Sequence, residues 1–216
     1  TKKPLHDGER GWKAKARIVR CGSFEPGTVG KDVQNRAEVP GAFEMRTMLT
    51  LGVRQGWSVG GLDVATAFLH APLDDDEDGI IVVSPPAILE RMQIVPKGVM
   101  WKLNKALYGL RVAPKRWGML RDDTMSSTVI QNGLSKGRCY QCEGVKNAWK
   151  VVNGKNVIVG YFLMYVDDVL VTASTEWTLA IMKAFQDNWK CKLTGVLVRD
   201  GVVTPEGTDA IAFLGI

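Results

Sequence analysis

Hydrophobic residues recur at helical spacing in three stretches of the chain. In the first stretch, 41–55, the positions i, i+3, i+4, i+7 and i+8 are apolar or small: Met45, Met48, Leu49, Gly52 and Val53. This pattern predicts an amphipathic helix that ends at Gly56. A second helix is predicted after Pro114, where helical spacing relates Trp117, Leu120, Thr124 and Thr128. A third helix is predicted near 176–190.

Alternating and short apolar runs predict strands elsewhere in the chain. Residues 12–20 alternate cations with apolar side chains, Lys13, Lys15 and Arg17 with Ala14, Ala16 and Ile18. This pattern predicts a strand with one cationic face, and taken alone it favours a solvated edge strand. Apolar strands are predicted over 57–64, 80–83 and, as a pair, 157–173, whereas 131–156 contains only short strand-like pieces. Because helices and strands mix without strict βαβ alternation, the predicted class is α+β.

The composition indicates a folded, mildly basic chain. Its 216 residues are 45% hydrophobic and 24% charged, which is ordinary for a globular protein. The net charge of +5 permits a nucleic-acid partner, but only a directional distribution of that charge would argue for one. No apolar run approaches the ~20 residues of a membrane helix, so no membrane partner is expected. Cys139 and Cys142 have half the spacing of a zinc site, but without a second pair free thiols are favoured.

Carboxylates interrupt apolar runs at two places. Asp63 lies near the end of one predicted strand, and Asp167 and Asp168 interrupt the later strand pair. Because a buried carboxylate needs compensation, the adjacent pair either lies in a solvated turn, which is the routine role of Asp, or holds a cation. Oxygen-only ligands suit Mg²⁺ or Mn²⁺, and two such ions serve nucleotidyl transfer. A further acidic run, 74–78, is predicted as a solvated loop that points away from any nucleic acid.

Four ordered motifs resemble one protein family. They are LDVATAFLHAPL (62–73), WKLNKALYGLRVAPKRW (101–117), YVDDVLV (165–171) and FLGI (213–216). The set resembles the reverse transcriptase of copia-type (Pseudoviridae) retrotransposons, and KARIV at 15–19 and RQGW at 54–57 fit the same pattern. The resemblance implies a right-hand polymerase with an antiparallel palm sheet, flanking helices, and a thumb and RNase H beyond this chain. The implied parts are fingers at about 1–40 and 71–112, and palm at about 41–70 and 113–216.

The same resemblance implies an RNA-directed DNA polymerase that uses two Mg²⁺ ions, with Mn²⁺ as a substitute. The implied partners are an RNA template, a DNA primer strand, dNTPs and the rest of a Pol polyprotein, including thumb, RNase H and integrase. The expected location is cytoplasmic, in a virus-like particle, or nuclear. Divergence in 32–40, 131–156 and 193–210 leaves open a catalytically decayed remnant that still binds nucleic acid. A third interpretation, a soluble fold in which the two aspartates form a mere turn, requires an accidental motif order.

The resemblance assigns the metal site to four residues. It implies that Asp63 and Asp167 bind the metal ions. Asp168 supports the site and contacts metal less directly. The backbone carbonyl of Val64 completes the metal shell.

The remaining implied roles concern the nucleotide and the nucleic acid. The nucleotide contacts are Lys15, Arg17, Phe68, Tyr108 and Gly109. Among them Lys15 and Arg17 grip the triphosphate, Phe68 excludes a 2′-hydroxyl, and Gly109 lets the backbone approach the nucleotide. The primer and template contacts are Tyr165, Val166, Pro114, Lys115, Arg116, Phe213, Leu214 and Gly215. Lys115 and Arg116 open the helix after Pro114, where they meet template phosphate or are merely solvated.

Overall fold

The computed structural model describes residues 2–4, 12–14, 17–20, 40–145, 147–198, 208, 210, 211 and 213. The strands in chain order are β1 (Lys2–Pro4), β2 (Trp12–Ala14), β3 (Ser58–Val64), β4 (Val82–Val83), β5 (Trp101–Lys102), β6 (Val129–Asn132), β7 (Ser135–Gln141), β8 (Ala148–Asn153), β9 (Ile158–Tyr165), β10 (Asp168–Ala173) and β11 (Cys191–Leu197). The helices are α1 (Ala42–Gln55), α2 (Ala87–Arg91), α3 (Ala113–Ser127) and α4 (Thr175–Asn188), with a 3₁₀ turn at Ala67–His70.

In the described part of the chain, seven strands form one antiparallel sheet. Their order is β11-β3-β10-β9-β8-β7-β6. Two short antiparallel ribbons, β1–β2 and β4–β5, lie outside it. Strands β9 and β10 are the pair predicted over 157–173. The predicted mixture of helices with an antiparallel sheet is therefore confirmed.

The two faces of the sheet carry two different cores, because successive side chains of a strand point to opposite faces. Helices α3 and α4 cover one face, where Trp149 and Phe162 stack with ring centroids 5.9 Å apart. Phe185 of α4 meets Phe162 edge-on at 5.4 Å. Helix α1 lies on the other face, where Met48 and Leu163 belong to a second buried cluster.

Helix α1 has the bounds that its hydrophobic spacing predicts. It ends at Gly56, whose φ of 67° is the left-handed conformation of a helix C-cap. It also lies very close to the sheet, since a Cβ at Gly52 would stand 2.2 Å from the Thr172 hydroxyl oxygen. Helix α3 begins as predicted with Pro114 in its first turn, and α4 matches the third predicted helix. None of the described helices is long and apolar enough to cross a membrane.

Two regions differ from the sequence-based expectation. The segment 131–156 contains the second half of β6 and all of β7 and β8. These three strands are full members of the main sheet rather than short strand-like pieces. The strand predicted over 12–20 is observed only at Trp12–Ala14 among the described residues, and 17–20 have no regular structure. Residues 17–20 do not continue the strand because of a contact with a distant segment. The backbone N–H of Arg20 donates to the Tyr108 carbonyl at 2.8 Å instead of to a neighbouring strand.

Candidate active site

The two acidic segments meet at one end of the sheet. Strands β3 and β10 pair in a register that sets Asp63 directly opposite Asp168. Next to this pair, the backbone N–H of Val64 donates to the carbonyl of Asp167 at 2.7 Å. The fold thus brings together three aspartates that lie about a hundred residues apart in the chain.

Asp167 lies in a tight turn whose backbone is strained. Val166 and Asp167 form the two-residue loop between β9 and β10, flanked by the paired residues Tyr165 and Asp168. Val166 has a φ of 54°, which is unusual for a β-branched residue. A positive φ at the first loop position alone is the pattern of a type II′ turn, where glycine is normal. Such strain persists only where surrounding contacts hold it in place.

The indole of Trp117 supplies one of those contacts. Its Nε1–H donates to the carbonyl of Val166 at 2.7 Å. The side chain comes from α3, is 1% exposed, and stacks edge-on against Trp189 with centroids 5.4 Å apart. The sequence presents Trp117 only as one of several residues at helical spacing, so its bond to the aspartate turn was not predicted.

The negative charge of Asp63 acts unfavourably on the Asp167 carboxylate. Burial raises the pKa of Asp167, and the negative charge of Asp63 raises it further. Arg17 acts in the opposite direction and lowers the pKa of Asp167. The Asp63 carboxylate is therefore close enough to disfavour the ionisation of Asp167, and a cation beside them would relieve that cost.

The donor set around these carboxylates suits a hard divalent cation such as Mg²⁺ or Mn²⁺. The thiol of Cys191, paired in β11 with Val64, lies nearby, but among the described residues it does not join the carboxylates in a group of three that could hold a metal ion. Burial and the charge of Asp63 raise the pKa of Cys191 to about 11, so without a metal the thiol is protonated at neutral pH.

The three aspartates do not, however, form a single three-ligand cluster. Across the described residues, no group of three or more Asp, Glu, His or Cys side chains converges to hold a metal ion. Asp168 belongs to a strand and Asp167 to the preceding turn, and successive side chains of an extended chain diverge. The structure therefore does not show all three carboxylates converging on one point. The interacting pair is Asp63 and Asp167.

A cation and two aromatic rings lie beside the acids. The guanidinium carbon of Arg17 lies 4.5 Å from the centroid of the Tyr108 ring. Phe68 meets the same ring edge-on, with centroids 5.1 Å apart. Burial raises the pKa of Tyr108, Arg17 lowers it, and the charges of Asp167 and Asp63 raise it. Because one arginine acts on both Tyr108 and Asp167, these groups share one electrostatic environment.

Gly109 admits protein backbone in this structure. Its φ is 89°, and a Cβ there would stand 1.7 Å from the carbonyl oxygen of Arg20. Only glycine fits at that position. The close approach observed at Gly109 is that of the Arg20 backbone, and its predicted contact with a nucleotide stays a prediction.

The acidic run 74–78 is a loop exposed at 74–77, as predicted, and hydrogen bonds that the sequence did not predict order it. Asp74 accepts hydrogen bonds from the backbone N–H groups of Asp76 and Glu77, at 2.9 and 3.2 Å. Arg116 donates to Asp78 at 2.7 Å and to Glu77 at 2.9 Å. The Asp78 side chain is only 4% exposed.

These contacts also correct the placement expected for Arg116. Its side chain is 9% exposed and paired with two carboxylates, so it is neither solvated nor directed at a template phosphate. The hydrogen bond that Arg116 donates to Asp78 raises the pKa of Arg116. Lys115, the next residue towards the N-terminus, is exposed.

The remaining predicted residues fall into two groups. Tyr165 and Phe213 pack in the cluster beneath α1, with Phe213 only 7% exposed, and Pro114 lies in the first turn of α3. Three further predicted residues lie outside the described part of the chain: Lys15, Leu214 and Gly215. Cys139 and Cys142 are free thiols.

Comparison with known proteins agrees with the motif order. A family model described as "Reverse transcriptase (RNA-dependent DNA polymerase)" matches residues 3–198. The chain is 29% identical over 175 residues to the "Retrovirus-related Pol polyprotein from transposon RE1" of Arabidopsis thaliana, which covers 81% of this chain and 11% of that protein. It is 33% identical over 140 residues to the corresponding polyprotein from transposon TNT 1-94 of Nicotiana tabacum, covering 64% of this chain and 9% of that protein.

A second Arabidopsis thaliana polyprotein, from transposon RE2, is 27% identical over 175 residues, with 81% of this chain and 11% of that protein covered. The chain spans about a tenth of the length of the curated relatives it matches. No solved structure is significantly similar to it. The match over most of the chain shows that it belongs to the reverse transcriptase (RNA-dependent DNA polymerase) family, and specifically to the enzymes of copia-type retrotransposons.

Proposed function

We propose that this chain joins dNTPs to a primer 3′-hydroxyl under the direction of an RNA or DNA template. The observation that carries the proposal is the juxtaposition of Asp63 with Asp167 and Asp168 at one sheet end, next to the cation of Arg17. A carboxylate pair beside a cation is what a reaction on a polyphosphate substrate requires. Membership of the reverse transcriptase family supports the same reaction.

The acidic cluster holds the reaction centre. Asp63 and Asp167 offer oxygen ligands to divalent ions, with the Val64 carbonyl and Asp168 as supporting groups. Bound there, two Mg²⁺-type ions would acidify the primer hydroxyl and neutralise charge on the departing pyrophosphate. The bond from Trp117 to the Val166 carbonyl keeps the turn, and with it Asp167, in one position.

The other side of the site holds the nucleotide. Arg17, with Lys15 beside it in sequence, offsets the charge of the triphosphate. Stacking on Tyr108 limits the directions in which the Arg17 guanidinium can point. Phe68 packs against Tyr108 and forms the plate that would clash with a ribose 2′-hydroxyl.

The nucleic acid lies across the same end of the sheet. Tyr165 and Val166 adjoin the primer terminus, and the segment containing Phe213, Leu214 and Gly215 grips the primer strand. Pro114 and Lys115 begin α3 on the template side. Arg116 serves instead to fasten the acidic loop to α3.

In this proposal the chain supplies the fingers and palm of a right-hand polymerase. The palm consists of about 41–70 and 113–216, and the fingers of about 1–40 and 71–112. The thumb, RNase H and integrase are separate parts of a Pol polyprotein. Synthesis takes place in the cytoplasm, in a virus-like particle.

The test is single-nucleotide addition to oligo(dT) on poly(rA), with enzyme in excess over primer. The proposal predicts extension with Mg²⁺ and none with EDTA, and it predicts loss of extension in Asp63→Asn and Asp167→Asn. Normal binding of primer–template without any Mg²⁺-dependent extension would identify the chain as a nucleic-acid-binding remnant. Full extension by either variant would refute the assignment of the two aspartates.

A further inference from the structure

The β6–β8 region has an excess of positive charge. The segment 129–157 contains five cations, Lys136, Arg138, Lys146, Lys150 and Lys155, against one acid, Glu143, and so carries a net charge of +4. A local excess of cations, where it lies on one face, suits a polyanion-binding surface.

Strand alternation places two of these cations, Lys136 and Arg138, on one face of β7. In β7 the residues Lys136, Arg138 and Tyr140 are exposed, whereas Gly137 and Cys139 between them are buried. The exposed residues are therefore two positions apart, about 6.8 Å from one to the next. They form a row of two cations and one aromatic ring along the solvent-exposed face of β7.

Cross-strand neighbours turn this row into a concave surface. Arg138 lies opposite Val129 of β6 and Val152 of β8. With the loop that follows β8, these residues enclose a volume of about 290 Å³, whose lining includes Tyr140 and Asn156. That volume is close to the lower end of the ~300–1,000 Å³ typical of small-molecule sites.

The cations of this surface have no acidic partners in the described part of the chain. Two exposed lysines elsewhere pair with carboxylates, Lys102 with Asp75 and Lys183 with Asp187, the latter at 2.7 Å. Neither Lys136 nor Arg138 makes such a pair with any described residue. An anionic ligand would therefore meet charge that the protein leaves unneutralised.

The surface formed by Lys136, Arg138 and Tyr140 is separate from the acidic cluster but lies on the same face of the main sheet as Asp168. By register, Asp168 pairs with Tyr165, Tyr161 pairs with Lys150, and Lys150 pairs with Tyr140. Directly paired residues share a face. Strands β8 and β9 separate β7 from β10, which is about 14 Å across the sheet. Helix α1 packs over β3, β9 and β10.

We propose that this basic face, Lys136, Arg138 and Tyr140, binds single-stranded nucleic acid, with phosphates on the two cations and a base stacked on Tyr140. Tyr140 is 49% exposed, so its ring is available to an unpaired base. In a duplex the bases already stack on each other, whereas a basic groove with an aromatic ring is the usual way of binding single strands. The proposal rests on the proposed function in one respect, that a polymerase must hold the unpaired part of its template.

The test measures binding of a fluorescein-labelled 20-nucleotide RNA by anisotropy between 50 and 200 mM salt. The double variant Lys136→Glu/Arg138→Glu should reduce the slope of log K against log salt by about 1.4, at ~0.7 per lost phosphate contact. A matched control, Lys97→Glu/Lys183→Glu, changes the net charge equally but alters cations outside this face, so the slope should stay near wild type. Equal slopes in the two variants would overturn the proposal.

Tyr140 gives a second, uncharged test. Tyr140→Ala should weaken RNA binding about 5- to 150-fold, whereas Tyr140→Phe, which keeps a ring, should bind like wild type. A single-stranded DNA arm asks whether the 2′-hydroxyl contributes; binding of either strand through Lys136, Arg138 and Tyr140 supports the proposal. Tighter binding of duplex than of single strands by this face contradicts it.

The experiments distinguish failure of the proposed polymerase function from failure of the proposed RNA-binding face. Asp167→Asn lies outside the basic face, so it should leave the affinity for single strands and its salt slope unchanged. A wild-type chain that binds RNA through the basic face but never extends a primer would refute the proposed function alone. A chain that extends primers while Lys136→Glu/Arg138→Glu binds RNA normally would refute only the basic face.

Discussion

Replacing Trp117 with phenylalanine tests whether a single hydrogen bond positions the turn that contains Asp167. The substitution keeps an aromatic ring in the core but removes the N–H that donates to the Val166 carbonyl at 2.7 Å. That carbonyl belongs to a residue with a φ of 54°, one position before Asp167. Without the bond, the turn loses a contact that holds it in its strained conformation.

The size of the effect follows from burial. Trp117 is 1% exposed and Val166 is half-buried, so water can replace the lost N–H at the Val166 carbonyl only in part. An unsatisfied buried acceptor costs about 1–3 kcal/mol. If the turn relaxes to avoid that cost, Asp167 moves, and the same energy appears as a fall in kcat of about 5- to 150-fold. The KM for dNTP should stay near wild type, because the bond does not involve Arg17 or Phe68.

Trp149 provides a matched control in the same protein. Its side chain is 2% exposed, and its buried Nε1 has no hydrogen-bond partner among the described residues. Trp149→Phe therefore removes a similar volume and an N–H that donates to nothing. The assay is single-nucleotide addition of dTTP on poly(rA)–oligo(dT), with kcat and KM determined separately and urea unfolding as the stability measure. Equal kcat values for Trp117→Phe and Trp149→Phe would refute a positioning role for the bond.

Three further outcomes are expected. Because burial raises the pKa of Asp167 in the folded state, its ionisation opposes folding as the pH rises from its unfolded pKa near 4 through the folded value. Asp167→Asn should therefore unfold at higher urea than wild type at pH 7, with the gap closing towards pH 4; a gap that widens on acidification would contradict the assigned direction. Phe68→Val should lower the preference for dNTP over rNTP by at least about tenfold in single-nucleotide addition, and an unchanged ratio would return Phe68 to a packing role. Asp78→Asn should lower the free energy of unfolding by about 1–3 kcal/mol, because it breaks the buried pair with Arg116, whereas Glu77→Gln, at an exposed carboxylate, should cost less than about 1 kcal/mol; equal losses would show that burial does not set the strength of these pairs.

The sequence predicts the helices and the acidic strands well because local spacing determines them. The five small and apolar residues of α1 mark one helix face, and Gly56 marks its end. The strand pair around Asp167 is continuous apolar sequence on both sides of the turn. In both cases the spacing of apolar residues within the segment predicts the element, so no knowledge of distant contacts is needed.

The sequence is less informative about β6–β8, because only alternate residues there are buried and two of them are small or weakly hydrophobic. Gly137 and Cys139 face the core, while Lys136 and Arg138 between them are exposed. Composition alone therefore suggests a loop, although the alternation is that of a strand with one solvated face.

Long-range pairing explains the remaining differences. Nothing in the sequence near Arg116 indicates that its partners are Asp78 and Glu77, nor that Trp117 donates to the turn before Asp167. The close approach of Arg20 to Gly109 is likewise a tertiary contact. Such contacts join segments that no local period relates, so the fold was needed to identify them.

The proposed function requires Asp63 and Asp167 to act as one divalent-cation site, and direct measurement of Mn²⁺ binding tests this requirement without depending on catalysis. The signal of free Mn²⁺ in electron paramagnetic resonance reports how much ion the protein binds. Wild type should bind Mn²⁺, Mg²⁺ should displace it, and Asp63→Asn and Asp167→Asn should each abolish most of the binding. Retention of wild-type Mn²⁺ affinity by either single variant would refute the shared site.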